Sequence, residues 1–502
     1  MELVNLIKDR VDLPLNAWYL DGGVQVGTLD QLKAVVDILL QEGPRLGLIF
    51  STSASVPPPD KPKSTIWRPS QQERGEEIYQ DPLERGLTYV KEEGVVLLGA
   101  PIGSKKFEAE DIMKKVNKIR DITTLLPLLE DPHTEFVLLR SCLALPTISF
   151  LLRGVDTSSH TAILHEFDQI TREALIRILG APVGERAWRQ AKLPVSMGGH
   201  GLRAAADHAS SAFASSILGA QLRVQDLVGG RHVGGGQSQE DRERREENYQ
   251  VGDGVLGQQL LANLSIAQGE QAVEADLVGM TQKQMRVKVD LEQKRQLAEL
   301  FGEDEEREKA RLLSISLDNT GDSLNTPPLI ALGLHLRPVE FVLVVKYCLG
   351  LPVFDQRGPC PACLQESDVL GDHALCCGSR GERISRHNAL RDAIIETAVA
   401  TGLGPVKEGR FLLPGNDRPP ADVLVPNWTG GKDAAMDVEV TTPIKVTTMP
   451  GAANTAGFAL DHAHKGKLDG AEEACRRQGL AFLPLVAETF GGWHPSAQRE
   501  VK

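Results

Sequence analysis

The sequence predicts a multidomain α+β chain, and three observations carry that prediction. Its 502 residues are too many for one ordinary core, so two to four domains are expected. A long middle region spaces its apolar residues at helical period, broken by glycine and proline. Short strand-like runs closed by glycine turns stand near both ends, at residues 13–26 and 421–440.

Composition narrows the class. Hydrophobic residues make up 41% of the chain, enough to build cores. No run of eighteen apolar residues occurs, so no membrane span is expected. The N-terminus lacks a basic start followed by an apolar stretch, so no secretory signal is expected. Four of the seven cysteines lie within eighteen positions, which argues against a disulfide framework and for a reducing compartment. The formal net charge is −13, so any nucleic-acid binding must use local basic patches. Residues 380–502 hold fifteen Lys/Arg and fifteen Asp/Glu, so the acidic excess lies elsewhere.

Along the chain, Ala17-Trp-Tyr-Leu20 and Val24-Gln-Val26 read as paired strands about a turn at Asp21-Gly22-Gly23. Leu29 to Leu40 reads as a helix, and residues 53–85 as a proline-rich loop. Gly94 to Gly103 suits one buried strand closed by a turn. Residues 106–225 read as helices broken near Asp131-Pro132, Gly180-Ala-Pro182 and Gly198-Gly199-His200-Gly201. Gly229 to Gln250 joins a glycine triplet to a charge run and reads as a linker. Residues 256–315 and 338–350 are again helical.

Cys360-Pro-Ala-Cys363, His373 and Cys376-Cys377 have the spacing of a zinc site. Zinc takes four soft or borderline ligands in a tetrahedron. The first pair supplies two thiolates from one turn. His373 and Cys377, four residues apart, supply the rest, with Cys376 as the alternative to Cys377. No open coordination position is implied, so the expected role is structural. Asp372 or another acceptor would orient the imidazole.

The stretches 421–425 and 435–440 have strand character, with Gly430-Gly431 between them. A hairpin symmetric about residues 429–430 sets Asp422 opposite Asp437. Alternation puts Asp437 and Glu439 on one face and sends Val423, Val425, Val438 and Val440 to a core. Facing carboxylates repel unless protonated or bridged by a cation. Hard oxygen ligands suit Mg²⁺ or Mn²⁺, which activate water at a phosphodiester. A lysine near the attacking water is also required. Thr441 occupies the usual place, which leaves Lys445, Lys465 and Lys467, with Lys465 preferred.

The order Cys-x2-Cys, Gly-Asp-His373, Cys377, Arg386-His387-Asn388, Arg418-Pro-Pro-Ala-Asp422 and Asp437-Val-Glu-Val-Thr-x-Pro443 resembles the C-terminal end of non-LTR retrotransposon polyproteins. Phe482-Leu-Pro-Leu-Val-Ala-Glu488-Thr-x-Gly491-Gly492 is similar to that region's closing strand and turn. Tyr19-Leu-Asp21-Gly22-Gly23 looks like the reverse-transcriptase Tyr-x-Asp-Asp motif, with Gly22 in place of the second aspartate. Lys63-Ser-Thr-Ile-Trp67 resembles the next polymerase motif, and Leu98-Gly-Ala-Pro-Ile-Gly103 the primer grip. Leu193-Pro-Val-Ser-Met-Gly-Gly-His-Gly-Leu202 looks like part of the thumb.

The resemblance implies a partial reverse-transcriptase palm at 1–105 and a helical thumb at 106–225. A linker at 226–255 and a helical connector at 256–356 would come next. A zinc knuckle at 357–379 and an α/β restriction-endonuclease-like domain at 380–502 would complete the chain. It implies a DNA endonuclease in which Asp422 and Asp437 bind Mg²⁺ or Mn²⁺, Glu439 binds metal or orients water, and Lys465 stabilises the attack. Arg386, His387 and Arg391 would grip phosphate. Asp21 would be a vestige of a polymerase metal site, so reverse transcription by this chain alone is not expected. The implied partners are DNA, element RNA and a separate polypeptide supplying the missing polymerase half. The implied residence is nuclear. The competing expectation is a non-catalytic nucleic-acid-binding remnant.

Overall fold

A computed structural model of the chain describes residues 2–19, 22–52, 64–67, 85–90, 93–229, 280–379, 381–410 and 420–501. Asp21, Lys63, Arg418 and most of the expected linker lie outside these residues. The chain divides into two compact units, Met1–Lys114 and Lys115–Lys502. In line with the sequence pattern, it mixes helices with small sheets.

In the first unit, helix α1 (Glu2–Arg10) precedes the antiparallel strands β1 (Leu15–Tyr19) and β2 (Gly22–Val26), and helix α2 (Leu29–Glu42) comes after them. Thr28 opens α2 with a capping box: its hydroxyl accepts from the Gln31 N–H, and its own N–H donates to Gln31 Oε1 at 2.7 Å. Leu3, Ile7, Leu13, Val35, Ile38 and Leu39 form the core. The register pairs Tyr19 with Gly22 and Trp18 with Gly23, so both glycines that the sequence assigns to the turn are strand residues. Gly23 is a strand residue lying under Trp18, where a Cβ would come within 2.9 Å of the indole.

Two-residue strands β3 (Thr65–Ile66) and β4 (Thr88–Tyr89) pair in parallel. Gly94–Gly103, expected to be one buried strand, is instead a hairpin of β5 (Gly94–Leu97) and β6 (Ala100–Gly103). Leu98 and Gly99 both take left-handed backbone at its turn, which suits the twist of a two-residue hairpin.

The second unit starts as a helical bundle: α3 (Lys105–Leu125, crossing the boundary), α4 (Pro132–Leu138), α5 (Leu145–Gly154), α6 (Thr161–Leu179), α7 (Glu185–Lys192) and α8 (Ala205–Gly229). The breaks fall where glycine and proline placed them. Asp131 caps α4, Gly180 ends α6 in left-handed conformation, and Gly198 to Gly201 turn the chain after α7. The 23-residue helical stretch Pro132–Gly154 is long and apolar enough, by length and composition, to cross a membrane. A π turn at Leu139–Leu143 interrupts it, and Phe136, Leu139, Ile148, Leu151 and Leu152 are buried in the bundle, the packing of a core helix.

Helices α9 (Gln282–Glu299), α10 (Glu306–Ile315) and α11 (Pro338–Cys348) join the bundle to the C-terminal elements. Phe341 and Val345 of α11 share a core with Leu175 and Trp188. Leu312 and Ile315 of α10 share another with Ile444, Ala452 and Phe490.

A small knuckle comes next, with strands β7 (Gly358–Pro359) and β8 (Glu366–Ser367) and helix α12 (Asp372–Cys376). The C-terminal part has helix α13 (Glu382–Ala400), strands β9 (Val406–Lys407), β10 (Val423–Thr429) and β11 (Lys432–Thr441), helix α14 (Phe458–Arg477), strand β12 (Ala481–Glu488) and helix α15 (Pro495–Val501). The sheet order is β12-β11-β10-β9, with β11 and β12 parallel and the other pairs antiparallel. Val423, Val425, Met436, Val438 and Leu485 pack with Leu390, Ile394 and Ile395 of α13. Ala435 and Phe482 face the other way, toward Leu468 and Cys475 of α14. Val440, expected in the core, is only half-buried.

Candidate functional site

The knuckle is built by backbone turns. The Cys360 N–H donates to Gln365 O at 2.7 Å, and the Leu364 N–H donates back to Cys360 O at 2.8 Å. Leu364 takes left-handed backbone to close this loop. The Asp368 carboxylate accepts from the N–H groups of Leu370, Asp372 and His373, at 2.9, 3.1 and 2.7 Å, and so starts α12. Although burial opposes it, the bonds from His373 and Asp372 hold Asp368 below the usual carboxylate range. One turn later the Cys377 N–H donates to His373 O at 2.8 Å.

This brings four ligands together. The ligand atoms of Cys360, Cys363, His373 and Cys377 all lie within 4.8 Å of one another. Cys360 Sγ is 3.9 Å from Cys377 Sγ, and Cys363 Sγ is 3.2 Å from His373 Nε2. A tetrahedral zinc with Zn–S near 2.3 Å separates its sulfurs by roughly 3.8 Å, so this Cys₃His group could bind zinc. The backbone N–H groups of Ala362 and Cys363 lower the Cys360 thiol to about 6, which favours the ligating thiolate. Cys377 is buried among the ligands and Cys376 is exposed, so the geometry selects Cys377. Asp372 does not orient the imidazole as expected. Its carboxylate takes two bonds from the Arg307 guanidinium, each 2.8 Å, and ties the knuckle to α10.

At its acidic end the hairpin has the expected pairing, reached through a register shift between Val425 and Thr429 that the sequence does not predict. Val423 pairs with Met436, so Asp422, one residue before β10, stands opposite Asp437. Gly430 and Gly431 both have positive φ and make the turn. Asp422 Oδ2 accepts the Val438 N–H at 2.7 Å. Burial pushes the Asp437 carboxyl up to about 6, against the pull of Lys467 and with the push of neighbouring Asp422. Lys467 Nζ lies 2.8 Å from Asp437 Oδ2 and 3.8 Å from Glu439 Oε2. Lys467 thus pairs with Asp437 and lies near Glu439, linking the two acids of β11.

The structure brings Lys467, rather than the preferred Lys465, to the acids. Lys467 continues the inward stripe of α14 set by buried Leu460 and Ala463, whereas Lys465 and Lys445 are exposed. The three- and four-residue spacing of that stripe is readable in the sequence and separates the two lysines.

The three expected phosphate-gripping residues are otherwise engaged. Arg391 is buried, donating to Asp392 at 2.9 Å and Glu408 at 2.7 Å, so it is not available to a phosphate. Arg386 donates from Nη2 to Leu375 O at 3.0 Å, bracing α13 on the knuckle. His387 Nε2 lies 3.0 Å from Asp422 Oδ1. The sequence marks Glu488 only as part of the closing strand, not as a buried carboxyl. Burial raises Glu488, beside Thr441 in the sheet, to about 7, and it accepts the Ser314 hydroxyl of α10.

Fold and site together define a multidomain α+β protein in which a Cys₃His group precedes an acid-lined hairpin. No protein-family model matches the sequence. The chain is similar to the retrotransposable element SLACS 132 kDa protein of Trypanosoma brucei gambiense, 31% identical over 361 residues. The similarity covers 69% of this chain and 24% of the relative, so the chain spans about a quarter of that protein's length. The chain is a retrotransposon-derived protein.

Proposed function

We propose that the C-terminal part is a restriction-like DNA endonuclease that hydrolyses a phosphodiester in the presence of Mg²⁺ or Mn²⁺. The observation that carries this reading is the gathering of Asp422, Asp437, Glu439 and Lys467 at the β10–β11 hairpin. Asp422 and Asp437 would hold the ion, and Glu439 would hold it or orient the attacking water. A bound Mg²⁺ supplies charge stabilisation at the phosphate and a more acidic water. Lys467 would neutralise charge building on the phosphate oxygens. Water attacks phosphorus and the P–O3′ bond breaks, leaving a 3′ hydroxyl and a 5′ phosphate.

Around this centre, the knuckle would take structural zinc and the helices at 106–225 would act as a polymerase-like thumb. The first unit would be a palm remnant that does not extend primers, because Gly22 stands where a second carboxylate is required. DNA and element RNA would be the partners, and the site of action would be the nucleus.

One observation favours a non-catalytic nucleic-acid-binding reading: the Lys467 ammonium offsets the Asp437 charge directly. Supercoiled plasmid with Mg²⁺ separates the two. Nicking that Asp437→Ala abolishes supports the nuclease. A mobility shift with no nicking supports the binder.

A further inference from the structure

We propose that His387 is a positioning residue for Asp422, fixing the carboxylate that receives the divalent cation, and does not grip phosphate. The proposal rests on the nuclease reading for its purpose, but its evidence is separate. His387 Nε2 is 3.0 Å from Asp422 Oδ1, while the Val438 N–H holds Oδ2 at 2.7 Å. An ionised carboxylate only accepts hydrogen bonds, so Nε2 carries the proton in this pair. With one donor on each oxygen, the carboxylate plane is set from two elements, α13 and β11. Each oxygen keeps a further lone pair for a ligand.

The helix that carries the imidazole is itself held in place. Arg386, its neighbour on α13, donates to Leu375 O of α12 at 3.0 Å, and buried Arg391 one turn later anchors α13 to Glu408. The Glu408 N–H in turn donates to Asp422 O at 2.9 Å, so backbone and side chain of Asp422 are fixed through the same helix. Carboxylate–histidine contacts of this kind typically change metal affinity by about 10–100-fold when removed.

The test is Mn²⁺ affinity of the full chain by calorimetric titration, with zinc already bound. Wild type is compared with His387→Ala, His387→Gln and Asp437→Ala, and plasmid nicking, DNA mobility shift and thermal midpoint are followed in parallel. His387→Ala is expected to weaken Mn²⁺ binding roughly tenfold, leaving DNA mobility shift and thermal midpoint unchanged. His387→Gln, which offers an N–H near the same point, is expected to restore most of the affinity. Unchanged Mn²⁺ affinity in His387→Ala overturns the proposal, as does failure of glutamine to rescue, loss of DNA binding alone, or absence of Mn²⁺ binding to wild type. Wild type that binds Mn²⁺ and does not nick refutes the nuclease reading, while the affinities still decide the role of His387.

Discussion

Lys467 Nζ lies 2.8 Å from Asp437 Oδ2 and on the same side of the sheet as Glu439. The lysine reaches the acids from helix α14 rather than from the strand itself. A cation at this point can offset charge on either the carboxylate or a phosphate, and it does not depend on the residue at position 441.

Lys467→Ala is therefore expected to reduce plasmid nicking by about 10²-fold. Lys465→Ala, on the exposed side of the same helix, is expected to leave it within about twofold of wild type. Equal losses in the two variants would show that surface charge, and not the contact with Asp437, matters.

The knuckle makes a second prediction. Metal analysis of purified protein should find zinc in wild type and Cys376→Ser. Cys360→Ser and Cys363→Ser should lose it, because each removes one of the clustered thiols. Retention of zinc by Cys360→Ser would exclude this ligand set.

Glu488 gives a pH dependence with a definite sign. Burial raises its folded value to about 7 from the ordinary 4.5, so between these values the folded state holds a proton that the unfolded state has lost. Stability from this group is full below about pH 4.5 and is lost as pH rises through about 7. The loss is on the order of 3 kcal/mol. Glu488→Gln, which can still accept from Ser314, is expected to flatten thermal stability between pH 5 and 8. An unaltered profile would place the pH dependence elsewhere.

The acidic hairpin was legible in the sequence from period-2 alternation and its Gly-Gly turn. The register shift between Val425 and Thr429 was not: counted from the Thr429–Lys432 pair alone, Asp422 would face Glu439, and the shift sets it opposite Asp437. The knuckle was legible from ligand spacing, although the choice of Cys377 over Cys376 needed the turn of α12 that buries one and exposes the other. What the sequence hid were the long-range partners. Nothing near Asp372 announces Arg307, 65 positions away. The engagement of Arg386 and His387 likewise depends on α13 packing between knuckle and sheet, which local pattern does not encode. The N-terminal glycines read as a turn belong to β2, where Gly23 packs closely under Trp18, a cross-strand contact that local pattern does not announce.

The most direct test is a crystal soaked in Mn²⁺ and measured for anomalous scattering. A metal held by the acids predicts a peak beside the Asp422 and Asp437 carboxylates, with Lys467 displaced toward solvent. Carboxylates turned apart, with no ion beside either, would contradict it.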